Sequence, residues 1–158
     1  MDAKHYALWL LGRRAYSEKR LRDKLRRKQY SPEEIDAVVK FCLDHKFLND
    51  MEYAKSFIRT RHVLRPRGQR VLRLELIKRG IDDEIIKEAL AHDDANQVSE
   101  LELARCLVES RRFQYAGSDE QTRKRRLFAL LARRGFSISI IKEVLNDIST
   151  EEAGTQNS

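Results

Sequence analysis

The chain has 158 residues, with 32 Lys+Arg against 25 Asp+Glu for a net charge of +7, and 41% hydrophobic against 36% charged residues. That is enough apolar material for a core under a charged exterior, and the positive balance favours an anionic partner such as nucleic acid or an acidic protein surface. Only 6 Gly and 2 Pro argue against a β-sandwich or a linker-rich chain, and no apolar run reaches membrane-spanning length.

The first predicted helix covers about Lys4–Arg14, with Ala7, Leu8 and Leu11 on one face. Ser17 is placed to cap a second helix ending near Lys28. Ser31-Pro32-Glu33-Glu34 then offers an N-cap, a proline at the first helical position and a Glu at the third, which starts a helix over about Pro32–His45. Asp50 is expected to cap the next helix, which carries Tyr53, Ala54, Phe57, Ile58 and Arg61. Pro66-Arg67-Gly68 breaks that helix. Another then runs to Arg79, with Gly80 in the left-handed position after it and Asp82 capping its successor. A longer helix is expected over about Ala95–Phe113, followed by a turn through Gly117. Ser118 with Gln121 reads as a capping box for the next helix, which ends at Gly135, and Ser137 caps the last one. No segment carries a strand signal.

The elements repeat. Leu21, Leu72 and Leu127 open equivalent phrases, followed in register by Leu25/Leu76/Leu131, Tyr30/Ile81/Phe136, Ile35/Ile86/Ile141 and Val39/Leu90/Leu145. A small helical unit recurring about every fifty residues must bury its apolar face against a neighbour, so the period implies stacked modules. The expected fold is all-α, with three tandem three-helix modules in an elongated, curved stack. The modules are placed at 1–47, 48–93 and 94–149, with a small polar tail, 150–158, expected to be disordered. Gln29 stands where the other repeats have Gly80 and Gly135, so a side chain must occupy that turn at some conformational cost.

Basic residues concentrate on the middle helix of each module and the segment entering it. They are Arg20, Arg22, Lys24, Arg26, Arg27 and Lys28; then Arg61, Arg65, Arg67, Arg70, Arg73, Lys78 and Arg79; then Arg123, Lys124, Arg125, Arg126, Arg133 and Arg134. Acidic residues collect instead at the third helices: Glu33, Glu34 and Asp36; Asp82, Asp83, Glu84 and Glu88; then Glu143 and Asp147. The attraction of cations to helix C-termini accounts for the pairs Arg27-Lys28, Lys78-Arg79 and Arg133-Arg134. It does not account for Arg20–Arg26 (Lys24 and Arg26 included), Arg65–Arg73 or Arg123–Arg126, which lie where a helix begins. Those positions favour a phosphate-binding stripe over a merely solvated face. The helix following Gly80 starts with acidic residues, which would repel phosphates, so sequence-specific reading of the major groove is not expected.

Other chemistry is missing from the sequence. His5, His45, His62 and His92 have no partners at metal-ligand spacing, and no phosphate-cradling glycine motif occurs. Asp82-Asp83-Glu84 reads as a helix start rather than a cation site. Cys42 and Cys106 sit at helical apolar spacing and are expected to be buried in a reducing compartment. Trp9 and the tyrosines could stack on bases, although Tyr30 and Tyr53 are expected to pack. No cofactor, metal or catalytic residue is expected.

Phe47-Leu48-Asn49-Asp50 with Tyr53-Ala54 and Arg61, then Arg67-Gly68, Glu75-Leu76, Arg79-Gly80-Ile81 and Arg133-Arg134-Gly135-Phe136, resemble the signature of the RecX family of bacterial regulatory proteins. The likeness runs from about Ala7 to Leu145. It implies an interaction protein that binds RecA, free or as a filament on single-stranded DNA; the residues themselves lead to the expectation of a cytoplasmic, monomeric non-enzyme. Such a protein dampens the ATPase, strand-exchange and coprotease activities of RecA in recombinational repair and the SOS response, and binds DNA weakly on its own. The likeness brings no catalytic residues with it. From the charge pattern alone, a stand-alone, sequence-nonspecific nucleic-acid-binding module is the alternative.

Overall fold

The computed structural model describes residues 1–96 and 99–155, and among them it contains nine α-helices and no strand. These are α1 (Ala3–Arg13), α2 (Glu18–Arg27), α3 (Pro32–Asp44), α4 (Asp50–Leu64), α5 (Gln69–Lys78), α6 (Asp83–Asn96), α7 (Glu100–Arg111), α8 (Glu120–Arg133) and α9 (Ile138–Thr155), with a short 3-10 turn at Phe113–Tyr115 after α7.

The helix starts follow local chemistry. Ser17 accepts from the Arg20 amide, and Ser31 and Glu34 complete the expected capping box ahead of Pro32. Three starts differ from the sequence reading. Asn49, not Asp50, takes the Glu52 amide, because the Asp50 carboxylate is turned to the Glu18 amide of α2 at 2.9 Å. Asp119, not Ser118, caps α8 by accepting from the Thr122 amide and hydroxyl. The helix expected over Ala95–Phe113 is interrupted: α6 ends at Asn96, and Ser99 with Glu102 builds a capping box that starts α7. Residues 97–98 of that expectation lie outside the described residues.

α9 continues through Thr155, into the segment read as a polar tail. Ser149, Thr150 and Thr155 return their hydroxyls to carbonyls four residues back, and Glu152 is tied to Arg123 at 2.7 Å. Those bonds satisfy polar side chains without leaving the helix. Residues 156–158 lie outside the described ones.

The chain divides into two compact units. Unit 1 comprises Met1–Phe57 with Glu75–Ala91, and unit 2 comprises Ile58–Leu74 with His92–Ser158. The core of unit 1 gathers Ala7, Leu10, Leu21, Leu25, Ile35, Val39 and Cys42 from α1–α3. The core of unit 2 gathers Leu103, Leu107, Leu127, Leu131, Phe136, Ile141 and Val144 from α7–α9. The repeat therefore marks core positions: Leu21, Leu72 and Leu127 are all buried, as are Leu25, Leu76 and Leu131. Truncating one of these leucines to alanine costs about 2–5 kcal/mol.

The three repeated turns share one backbone conformation. Gln29, Gly80 and Gly135 have φ of 65°, 83° and 87°, so the left-handed turn persists in the first repeat despite the side chain. A second equivalence links the start of one repeat's middle helix to the end of the next repeat's. In unit 1 the Ser17 hydroxyl donates to the Arg79 carbonyl, and in unit 2 the Gly68 amide donates to the Arg134 carbonyl at 2.7 Å. Both carbonyls sit at helix ends, where they have no partner within their own helix. Gly68 is there because a Cβ would run into the Gly135 carbonyl. Cys42 is buried as expected, but Cys106 is exposed: on α7, Leu103, Ala104, Leu107 and Val108 take the core-facing stripe and Cys106 falls outside it.

Candidate arginine site in the second unit

The basic residues expected to form one stripe take up different tasks. Several are engaged within the fold. Arg22 bridges Glu18 at 2.8 Å and Asp36 at 2.6 Å, and these two carboxylates raise the pKa of its guanidinium. Arg79 donates to the Tyr53 hydroxyl and lies over the Phe57 ring, 4.7 Å from its centre. Arg123 meets Glu152, Lys124 meets Glu120 at 2.9 Å, and Arg26 meets Asp23 at 3.0 Å. Arg22, Arg123 and Lys124 were among the cations near helix starts that the helix dipole could not explain, and nearby carboxylates supply a structural reason for them.

Others stay outward. Arg20, Arg27, Lys28, Lys78 and Arg125 are exposed and enter no ion pair among the described residues; Lys24 is half-buried and likewise makes none. Arg126 is exposed and reaches the Ser118 hydroxyl, and Arg73 is exposed on α5.

A third group converges in unit 2. Arg61 and Arg65 lie at the C-terminal end of α4, Arg67 lies in the loop before Gly68, and Arg133 and Arg134 end α8. The Gly68–Arg134 hydrogen bond ties that loop to the end of α8, and Arg70 Nη2 reaches the Ala132 carbonyl at 3.4 Å. The charges oppose one another. Burial, then the like charges of Arg61, Arg134 and Arg65, push the Arg67 guanidinium below its ordinary pKa. Burial, then Arg65, Arg111 and Arg133, do the same to Arg134. Arg134 Nη1 is buried and takes no hydrogen bond among the described residues, and Arg65, Arg133 and Arg134 form no ion pair there. Val63 and Leu64, the last residues of α4, stand exposed in the same segment.

Cations at the ends of α4, α7 and α8 gain from the negative helix termini, each by about 0.3–1 kcal/mol. That gain offsets only part of the repulsion in a group of this size. An approaching anion would relieve the remainder, whether phosphate or carboxylate, and arginine's planar fork suits either. Arg111, outside the repeated basic runs, joins the group through the end of α7. Its signal was the basic pair Arg111-Arg112, set apart from the middle helices where the other cations were sought. Among the described residues no group of His, Cys, Asp and Glu could hold a metal ion, and no helix is long and apolar enough to cross a membrane.

Fold and charge together define a class: an all-helical protein of tandem three-helix domains with a crowded cationic surface. Family models for the first, second and third three-helix domains of RecX match residues 3–42, 49–90 and 99–145. The regulatory protein RecX of Vibrio vulnificus is 35% identical over 147 residues, covering 93% of each chain. That of Amycolatopsis mediterranei is 33% identical over 153 residues, covering 94% of this chain and 86% of its own. The crystal structure of RecX from Lactobacillus salivarius superposes with a TM-score of 0.81 at 26% identity, covering 94% of this chain and 95% of that one. The chain belongs to the RecX family of regulatory proteins.

Proposed function

We propose that this protein regulates RecA by binding it, free or as a filament on single-stranded DNA, and damping its ATPase, strand-exchange and coprotease activities. Membership in a family named for regulation supports this reading. The observation that carries it to a surface is the arginine group of unit 2, where Arg65, Arg67, Arg133 and Arg134 crowd together and the end of α4 that leads into Arg65 leaves Val63 and Leu64 exposed. Cations interleaved with apolar side chains suit an acidic protein wall with small hydrophobic recesses. The protein acts as a ligand of the filament and performs no catalysis.

The test is DNA-stimulated ATP turnover by RecA, with cosedimentation on the same mixtures. The parent protein should lower turnover at or below one copy per RecA, and an Arg65→Glu/Arg133→Glu variant should lose most of that effect while staying folded. Unchanged turnover across a wide titration of folded parent protein would reject the reading. The same arginines would also suit phosphates, which keeps a second reading as a stand-alone, sequence-nonspecific nucleic-acid-binding module. That reading requires tight binding to DNA without RecA, with an affinity that falls steeply as salt rises.

A further inference from the structure

α1 has a second face beside the one it buries. Ala3, Ala7 and Leu10 face the core, while Tyr6 and Trp9 run along the flank with ring centres 6.0 Å apart and planes within 17° of parallel. Tyr30 flanks Tyr6 with centres 6.2 Å apart and planes tilted by 41°; both tyrosines pack in part against the core, and the Tyr30 hydroxyl is held by the Met1 carbonyl at 2.8 Å. Two cations accompany the rings. The Arg13 guanidinium lies 4.6 Å from the centre of the Trp9 ring, and Lys28 Nζ lies 5.4 Å from that of Tyr6. Neither cation forms an ion pair among the described residues, and Trp9 remains 48% exposed.

An indole left this open is unusual for a ring whose helix already has a complete buried face. The two cations keep the rings partly covered, but an exposed cation–π pair is weak and a stronger partner would readily displace it. A near-parallel pair of rings flanked by a tilted third, with a cation over each ring of the pair, is matched by a strand of unpaired bases: bases take the place of the cations on the π-faces, and the phosphates meet the displaced cations. A duplex hides its base faces, and an acidic peptide offers charge without flat rings. We propose that Tyr6, Trp9 and Tyr30, with Arg13 and Lys28, form a stacking platform for single-stranded nucleic acid. The platform stands on unit 1 alone and goes beyond the RecA reading, because it engages the strand itself.

Trp9 is the only tryptophan in the chain, so its fluorescence reports on this site and no other. The intact protein is titrated with an oligothymidylate, following indole emission and, in parallel, the anisotropy of the labelled strand. Expected are quenching that saturates together with the anisotropy, affinity about tenfold or more weaker for Trp9→Leu, and near-parental affinity for Trp9→Tyr, as expected for one lost stacking contact. Arg13→Ala/Lys28→Ala should weaken binding and flatten its salt dependence. Trp9 lies outside the core, so Trp9→Leu should melt like the parent, and Trp9→Tyr guards against a folding artefact. Binding without any change in indole emission, unaltered affinity in Trp9→Leu, or equal quenching by a duplex or by polyglutamate would overturn the proposal. The assay contains no RecA, so its failure and that of the regulatory reading are separable.

Discussion

The ends of the middle helices in the two units can be set side by side. In unit 1, Arg79 precedes its left-handed glycine and settles onto Tyr53 and Phe57, while Arg22 on α2 is shared by Glu18 and Asp36. In unit 2 the repeat-equivalent Arg134 has Arg65, Arg111 and Arg133 for neighbours and leaves a buried nitrogen without a hydrogen bond among the described residues. The repeat supplies the same residue type at the same place, yet there unit 1 uses its arginine as cement and unit 2 crowds its arginine against other cations. Composition along the chain therefore overstates the available charge in one unit and understates its crowding in the other.

The largest effect expected from disturbing this contrast comes at Gly68, the seat of the loop that brings Arg67 to Arg134. Gly68→Ala should cost about 3 kcal/mol in denaturant unfolding, because the obstructing atom belongs to the backbone of Gly135. Gly117→Ala, where a Cβ meets nothing, should be close to neutral. If both substitutions cost the same, the loop seat is not what crowds the arginines.

A smaller pair of effects should have opposite signs. Arg134→Met removes a half-buried charge that has no carboxylate partner among the described residues and should stabilise by about 1 kcal/mol. Arg22→Met should destabilise by at most about 1 kcal/mol, discounted because Asp36 is largely exposed. Urea midpoints at low salt measure both. Raising salt screens repulsion and attraction alike, so it should lessen the benefit of Arg134→Met and also the cost of Arg22→Met.

The smallest expected effects are those of acid. Burial raises the pKa of Asp50 in unit 1 above its ordinary 3.8, although the Glu18 amide pulls the other way. A raised folded-state value means that its contribution is present below about 3.8 and is lost as pH rises through the folded value. Asp50→Asn keeps an acceptor for the Glu18 amide and should flatten stability over that mildly acidic range. In unit 2, Asp119 behaves oppositely: the Thr122 amide and hydroxyl lower its pKa, so its contribution is present above 3.8 and is lost as pH falls through the lower folded value. Asp119→Ala should remove that acid sensitivity. Unfolding midpoints followed across pH for both variants check the two signs.

Much of the fold was legible because it rests on local rules. The Ser31–Glu34 box, the Ser17 cap and the three left-handed turns are each encoded within a few residues. The break before α7 was equally local in Ser99 and Glu102, but apolar periodicity on both sides obscured it. What could not be read were the partners of the charges. Arg22 with Asp36, Arg105 with Asp147 and Arg123 with Glu152 join residues far apart in sequence, and only folding decides which cations are matched. Cys106 shows a subtler limit: it lies beside core positions along the chain, but around the helix it faces solvent.

The Gly68–Arg134 bond has a use beyond structure. Gly68 precedes α5, so its proton is locked by a distant carbonyl and not by a turn of its own helix. In deuterated water that single site should retain its hydrogen for as long as the join stays shut, and its loss would time each opening of unit 2.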